Sequence, residues 1–397
     1  MKNSLQAKKI LAIVAAVAVL IVFIRNGSYG LISKWSEYIS QNSDAEGAIS
    51  LTDIDSEFSD NLWNQRDFID INGFMAKILG IRGLYGDEGM YVTKSGYIES
   101  AYDPTSTDFE VEQLTGFRDF LSENGINLLY VNEPTKYVDD EKFTEEFGLP
   151  TYSNANADKF MERIREAGIN CVDLRDNIAE EGLNVEDLFY RTDHHWKVPA
   201  GLWAAGIMAK ALNEDCGYNI DLSTYDIDRY ERRDFTNCWL GEQGRKVGKS
   251  YVGLDDYTEL KPAFETSFTF KDDDGPDTEG DFSNFVSESF YDTDKDVYDA
   301  ISWHYSYDIE DCINHKVDEG KVLLIADSYA MVTEPFLALG VHELDCIFLR
   351  QESEDFSIRN FVMENGYDTV IVAYAQMGIG AHDDGANVNY NMFNMDK

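Results

Sequence analysis

Lys321-Val322-Leu323-Leu324-Ile325-Ala326-Asp327-Ser328 is an apolar run that stops abruptly at two polar residues. Five consecutive apolar side chains bounded by turn residues read as a strand buried on both faces. A helix is expected over about Glu334–Leu339. Two further strand-like runs follow, Leu344–Leu349 and Thr369–Ala373, with a helix at about Ser357–Asn365 between them. Upstream, Ile126–Val131 and Ile169–Leu174 are runs of the same kind. A helix on the Val111, Leu114, Phe117, Leu121 stripe precedes the first, and one over Asp158–Glu166 precedes the second. Strands alternating with helices predict an α/β fold, a doubly wound and mostly parallel sheet with its ligand site at the carboxyl ends of the strands.

Ser328 therefore belongs at the carboxyl edge of that sheet. The backbone N–H groups of Ser328 and Tyr329 are candidate donors to a developing oxyanion there. Serines are also common in such turns simply as helix caps. The complementary stretch is Tyr190-Arg191-Thr192-Asp193-His194-His195-Trp196, which holds two of only six histidines in the chain. An aspartate two residues before a histidine suits a general base, since the carboxylate orients the imidazole and stabilises its cation. If the local backbone is extended, Asp193 and His195 share a side and His194 points away. Asp193, His195 and Ser328 then form a candidate triad for acyl transfer. The competing reading is a metal site on Asp193, His194 and His195. Adjacent histidines rarely face one ion, and no third histidine has supporting spacing, so no metal is expected.

Composition narrows the partners. The chain has 397 residues, with 33 basic against 74 acidic side chains and a formal net charge of −41. A nucleic-acid binder needs clusters of Lys and Arg to neutralise phosphates, and none is visible. The same charge disfavours a polyanionic glycan as a tight ligand. Five cysteines show no CxxC spacing. Cys171 and Cys346 read as core residues, while Cys216 and Cys238 are candidates for a disulfide in an oxidising compartment.

Residues 1–9 are short and basic, and Ile10–Ile24 is an uninterrupted apolar run closed by Arg25. A bilayer-spanning helix needs about 17–25 such residues. The expectation is an uncleaved anchor over 10–24, with residues 1–9 cytoplasmic, 25–57 a juxtamembrane linker, and 58–397 an extracytoplasmic domain in a single-pass membrane protein. A cleaved signal peptide is the rival reading. Within 58–397, Met90–Ile98 reads as a hairpin turning at Lys94-Ser95-Gly96. A helix opened by Pro199 follows Trp196, and residues 214–320 form an acidic insertion of irregular or β structure. Asp292-Thr293-Asp294-Lys295-Asp296 looks like the start of a calcium loop. Val297 stands where that loop needs glycine and Trp303 where it needs glutamate, so an acidic turn is expected instead.

Thr192-Asp193-His194-His195-Trp196 resembles the signature of the DHHW family. It is also similar to the Asp-x-His-Trp motif of the SGNH-hydrolase-like proteins that O-acetylate alginate and related exopolysaccharides. Further matches are Asn64-Gln65-Arg66-Asp67, Gly96-Tyr97, Pro134-Thr135-Lys136, Asp327-Ser328-Tyr329-Ala330 with Glu334-Pro335-Phe336-Leu337, and Asp345 to Arg350. The resemblance covers roughly residues 58–397. It implies an SGNH-hydrolase-like (flavodoxin-like) fold, with Ser328 as nucleophile, His195 as base and Asp193 as its orienter. It also implies a polysaccharide substrate, a membrane-bound O-acyltransferase partner that hands on acyl groups, and no cofactor. The usual glycine before Asp-Ser is Ala326 here, which puts the tight turn at the oxyanion hole in question. The expected activity is a membrane-anchored O-acetyltransferase. An esterase with the same triad and a non-catalytic scaffold of a polysaccharide assembly complex remain open beside it.

Overall fold

The computed structural model describes Val17 and residues 65–84, 89–271, 275–286, 297–298, 311–353, 355–380 and 391–396. A helix, Gln65–Leu79, leads into a small antiparallel sheet of β1 (Gly83–Leu84), β2 (Met90–Val92) and β3 (Ile98–Ser100). β4 (Asn127–Glu133) and β5 (Asn170–Asp173) begin the main sheet. A long hairpin, β6 (Tyr230–Trp239) and β7 (Asp255–Pro262), stands apart from it. β8 (Phe268–Phe270), β9 (Thr278–Gly280), β10 (Cys312–Asn314), β11 (Lys321–Ala326), β12 (Glu343–Ile347) and β13 (Thr369–Ala375) complete it. The strand order is β5-β4-β13-β11-β12-β10-β8-β9. The first five strands are parallel and the last three antiparallel.

The five parallel strands are the five apolar runs of the sequence, and side-chain alternation divides them between two cores. Leu129, Val131, Leu324 and Ile371 pack on one face with the helix Val198–Asp215. Leu128, Tyr130, Leu323, Ile325, Val370 and Val372 pack on the other, against the helices Asp108–Glu123, Ser153–Glu166 and Ile358–Asn365. Burial on both faces explains why these strands read as continuous apolar runs.

Two expectations are corrected, and a third is sharpened. The acidic insertion, read as irregular or β structure, is joined to the sheet. β8, β9 and β10 extend it as short strands, and the β6–β7 hairpin lies against the Asp193 stretch. Three-residue strands carry too little alternation to be recognised in sequence. The single-pass membrane location is overturned, because among the described residues no helix is long and apolar enough to cross a membrane. Of the run 10–24 only Val17 is described, and the linker 25–57 and the acidic stretch 292–296 lie outside the described residues. Lastly, all five cysteines are free, so Cys216 and Cys238 form no disulfide.

The helix Val198–Asp215 follows directly on Trp196 and fixes one wall of the site. Pro199 suits its first turn, where no N–H partner is needed. Gly201 lets the helix approach the turn after β11 so closely that a Cβ there would strike the Val332 carbonyl.

Candidate active site

β11 ends at Ala326, and Ser328–Val332 form a short 3-10 turn. Asp327 caps it. One carboxylate oxygen accepts the Tyr329 N–H at 2.9 Å, and the other accepts the Ala375 N–H at the end of β13, also at 2.9 Å. Burial pushes the Asp327 carboxyl up, and these two N–H bonds oppose it. The turn is thereby pinned to two adjacent strand ends, with Ser328 partly exposed at the sheet edge. One sequence expectation fails here. The Tyr329 N–H is already spent on Asp327, so it is not available to an oxyanion, and only the Ser328 N–H of that pair remains a candidate.

Across the gap, His195 Nε2 lies 2.7 Å from Ser328 Oγ, and His195 Nδ1 lies 2.6 Å from Asp193 Oδ1. Asp193 and His195 are both buried. Burial alone would raise the Asp193 carboxyl. The His195 charge and hydrogen bond outweigh it, with help from His194 and the Glu242 N–H, and hold the carboxyl well below the usual carboxylate range. An ionised Asp193 accepts from Nδ1–H, which leaves Nε2 with a lone pair towards the serine hydroxyl. The structure thus brings Ser328, His195 and Asp193 together in one hydrogen-bonded chain.

The geometry is not produced by an extended strand. Residues 191–195 are a bend, and Asp193 Oδ1 also accepts the His195 backbone N–H at 3.0 Å, closing a tight local loop. His194 does not point clear of the site. Its Nδ1 lies 3.6 Å from Asp193 Oδ1, and its ring centroid is 3.8 Å from that of His195. Burial first, and then the His195 charge, push it down to about 3. It is therefore a neutral wall residue at pH 7. The ligand atoms of Asp193, His194 and His195 lie within 4.8 Å of one another, the spacing of a metal group. A cation bound there would take His195 and Asp193 away from the contacts just described.

Several residues that hold this chain were not singled out in sequence. Asp255, at the start of β7, accepts the Thr192 N–H at 2.8 Å, the Thr192 hydroxyl at 2.6 Å and the Arg191 N–H at 3.2 Å. The Glu242 N–H donates to Asp193 Oδ2 at 2.7 Å, and the Gly241 N–H donates to Thr192 Oγ1 at 2.8 Å. A Cβ on Gly241 would run into the Asp193 side chain. Trp196 Nε1 donates to the Tyr329 carbonyl at 2.9 Å, and Tyr329 Oη donates back to the His194 carbonyl at 2.6 Å. This reciprocal pair ties the base segment to the nucleophile turn.

A cleft of about 180 Å³ opens beside the chain, its wall including His194, Tyr329, Glu99, Lys136, Glu242 and Lys246. His194 and Tyr329, the chain neighbours of His195 and Ser328, form part of that wall, so the cleft borders the two segments that carry the reacting side chains. Lys136 is buried in its wall. Its ammonium donates to the Ile98 carbonyl at 2.6 Å, to Gln243 Oε1 at 2.8 Å and to the Arg191 carbonyl at 3.4 Å.

Residues 88–234 match a family model, the SGNH hydrolase-like domain of the acetyltransferase AlgX. Among solved structures, Bacillus cereus PatB1 is similar over 78% of this chain and 98% of its own, at 16% identity and a TM-score of 0.58. A second structure of PatB1, with a sulfonyl adduct, has a TM-score of 0.56 at 16% identity, over 77% of this chain and 99% of its own. A DHHW family protein from Eubacterium siraeum is similar over 77% of this chain and 96% of its own, at 18% identity and a TM-score of 0.56. No curated protein matches.

Proposed function

We propose, from a chain that carries an SGNH hydrolase-like domain, an O-acetyltransferase that moves an acetyl group through Ser328 to a polysaccharide hydroxyl. The observation that carries this reading is the 2.7 Å contact between His195 Nε2 and Ser328 Oγ, backed by Asp193 at 2.6 Å. Ser328 Oγ attacks the acetyl carbonyl of the donor, and its proton passes to His195 Nε2. That proton then leaves with the donor's alcohol or thiol as the carbonyl–heteroatom bond breaks. In the second half, His195 takes the proton of a sugar hydroxyl whose oxygen attacks the acetyl-serine. Ser328 leaves and recovers the proton from His195. Asp193 stays ionised throughout and stabilises the imidazolium between steps. The chain carries its acyl group only transiently, so the donor lies outside it, and a membrane-bound O-acyltransferase is the partner proposed.

A second reading rests on the partial exposure of Ser328. Water reaching the acetyl-serine would make the same residues an esterase. One experiment separates the two. The protein is incubated with 4-nitrophenyl acetate, with and without an oligosaccharide panel, and the release of nitrophenol and the products are followed. Transfer predicts acetylated sugar and a nitrophenol rate that rises with acceptor. Hydrolysis predicts free acetate at a rate no acceptor changes. Identical behaviour of Ser328→Ala would sink both.

A further inference from the structure

The cleft beside Ser328 has an unusual balance of used and unused polar groups. Glu99, from β3, is 5% exposed and lies in its wall. One of its carboxyl oxygens accepts the Ser100 N–H at 3.0 Å, and the other has no hydrogen-bond partner among the described residues. A buried carboxyl oxygen left so is costly, and an O–H brought by a ligand removes the cost.

The cationic groups of the same wall are engaged elsewhere. The Lys136 ammonium has three protons and three protein acceptors, on β3, on the Arg191 bend and on Gln243. Lys246 Nζ pairs with Glu242 Oε1 one helical turn away, at 3.2 Å. His194 is neutral at pH 7. Among the described residues of the wall, then, each lysine already has a protein partner, while Glu99 and Glu242 bring two carboxyl groups to the same wall. The net charge of −41 adds a long-range repulsion to any polyanion.

We propose that this cleft is the acceptor subsite and that it takes an uncharged sugar, a hydroxyl of which Glu99 binds, in preference to a uronic acid. The inference rests on the acetyl-transfer reading for its biological sense, but the binding it asserts needs no chemistry. Glu99 and the Glu242–Lys246 pair are its specificity determinants. Glu99 engages the hydroxyl, and Glu242 competes with a ligand carboxylate for Lys246.

The test is equilibrium binding to the full chain without any acyl donor, at physiological salt. The probes are hexasaccharides of glucose and of N-acetylglucosamine, set against hexamers of mannuronate and galacturonate. At least one uncharged probe is expected to bind about tenfold or more tightly than either uronate, a factor of the size one hydrogen bond supplies. Glu99→Met is expected to weaken that binding by about tenfold, with folding checked by thermal melting. Glu242→Gln, which removes the ion pair of Lys246 with Glu242, is expected to raise uronate affinity. Uronates binding as tightly as the uncharged probes, no uncharged probe binding, or a folded Glu99→Met with unchanged affinity would each overturn the proposal. If Glu99→Met does not fold, the uncharged-to-uronate ratio of the native chain decides alone. Failure of Ser328 to accept an acetyl group would remove the catalytic reading and leave this binding result standing.

Discussion

The Glu242 N–H donates to Asp193 Oδ2 at 2.7 Å, across 49 residues of chain. A backbone group from the acidic insertion thus holds the carboxylate that orients His195. Asp255, from the same insertion, does the corresponding work for Thr192 and Arg191. The insertion is part of the site.

Asp255 is therefore expected to matter at a distance from the chemistry. Asp255→Ala leaves the Thr192 N–H and hydroxyl without their acceptor, at a cost of about 1–3 kcal/mol. Urea denaturation should show that loss, and turnover of 4-nitrophenyl acetate should fall because the Asp193–His195 bend is no longer held. Unchanged stability would mean the bend is set by local bonds alone.

Asp193→Asn should preserve the fold and remove most of the activity. The amide keeps the shape but cannot stabilise the imidazolium, and it favours the wrong imidazole tautomer. A fall in kcat on the order of 10³–10⁴ is expected. Steady-state kinetics with the same ester, beside an unchanged circular dichroism spectrum, would show it.

Trp196→Phe tests the tie between the base segment and the nucleophile turn. It keeps an aromatic ring in the core but loses the Nε1–H bond to the Tyr329 carbonyl. The bond contributes about 1 kcal/mol, and its loss leaves a buried carbonyl unpaired. The expected outcome is a modest drop in melting temperature and a larger proportional drop in kcat than in substrate affinity.

The pH dependence should carry the mark of Lys136. Burial pushes its ammonium down to about 8, against the pull of Glu99, Asp193 and Asp255. The unfolded lysine titrates near 10.4, so between about pH 8 and that value the unfolded chain holds more protons than the folded one. This group's contribution to stability therefore rises with pH across that window and is flat below it. Its clasp on the Arg191 bend weakens in the same window, because a neutral amine has only two protons for three acceptors. Relative to Lys136→Met, the native chain should gain stability above pH 8 while losing activity. The check is chemical denaturation and ester turnover at matched pH values in both proteins. Parallel profiles would remove Lys136 from the account.

The parts legible in the sequence were those that local pattern determines. The parallel strands announce themselves as unbroken apolar runs, and Asp193, His195 and Ser328 stand in stretches with a recognisable chemical logic. What could not be read depends on contacts between distant residues. Nothing near Asp255 marks it as the acceptor for Thr192, 63 residues earlier. The use of the Tyr329 N–H by Asp327 is local, but a capping aspartate and an oxyanion donor look the same in sequence until the turn is seen. The loop of bonds around Asp193 likewise makes a bend, where an extended backbone was the condition for setting Asp193 and His195 on one side.

The central claim is that Ser328 is the acylated residue and His195 its base. Brief treatment with 4-nitrophenyl acetate, an acid quench and peptide mass spectrometry test it most directly. The account predicts one acetyl group on the peptide containing Ser328 in the native protein, and little or none in His195→Ala. An acetyl group on another residue, or equal labelling of Ser328 without His195, would contradict it.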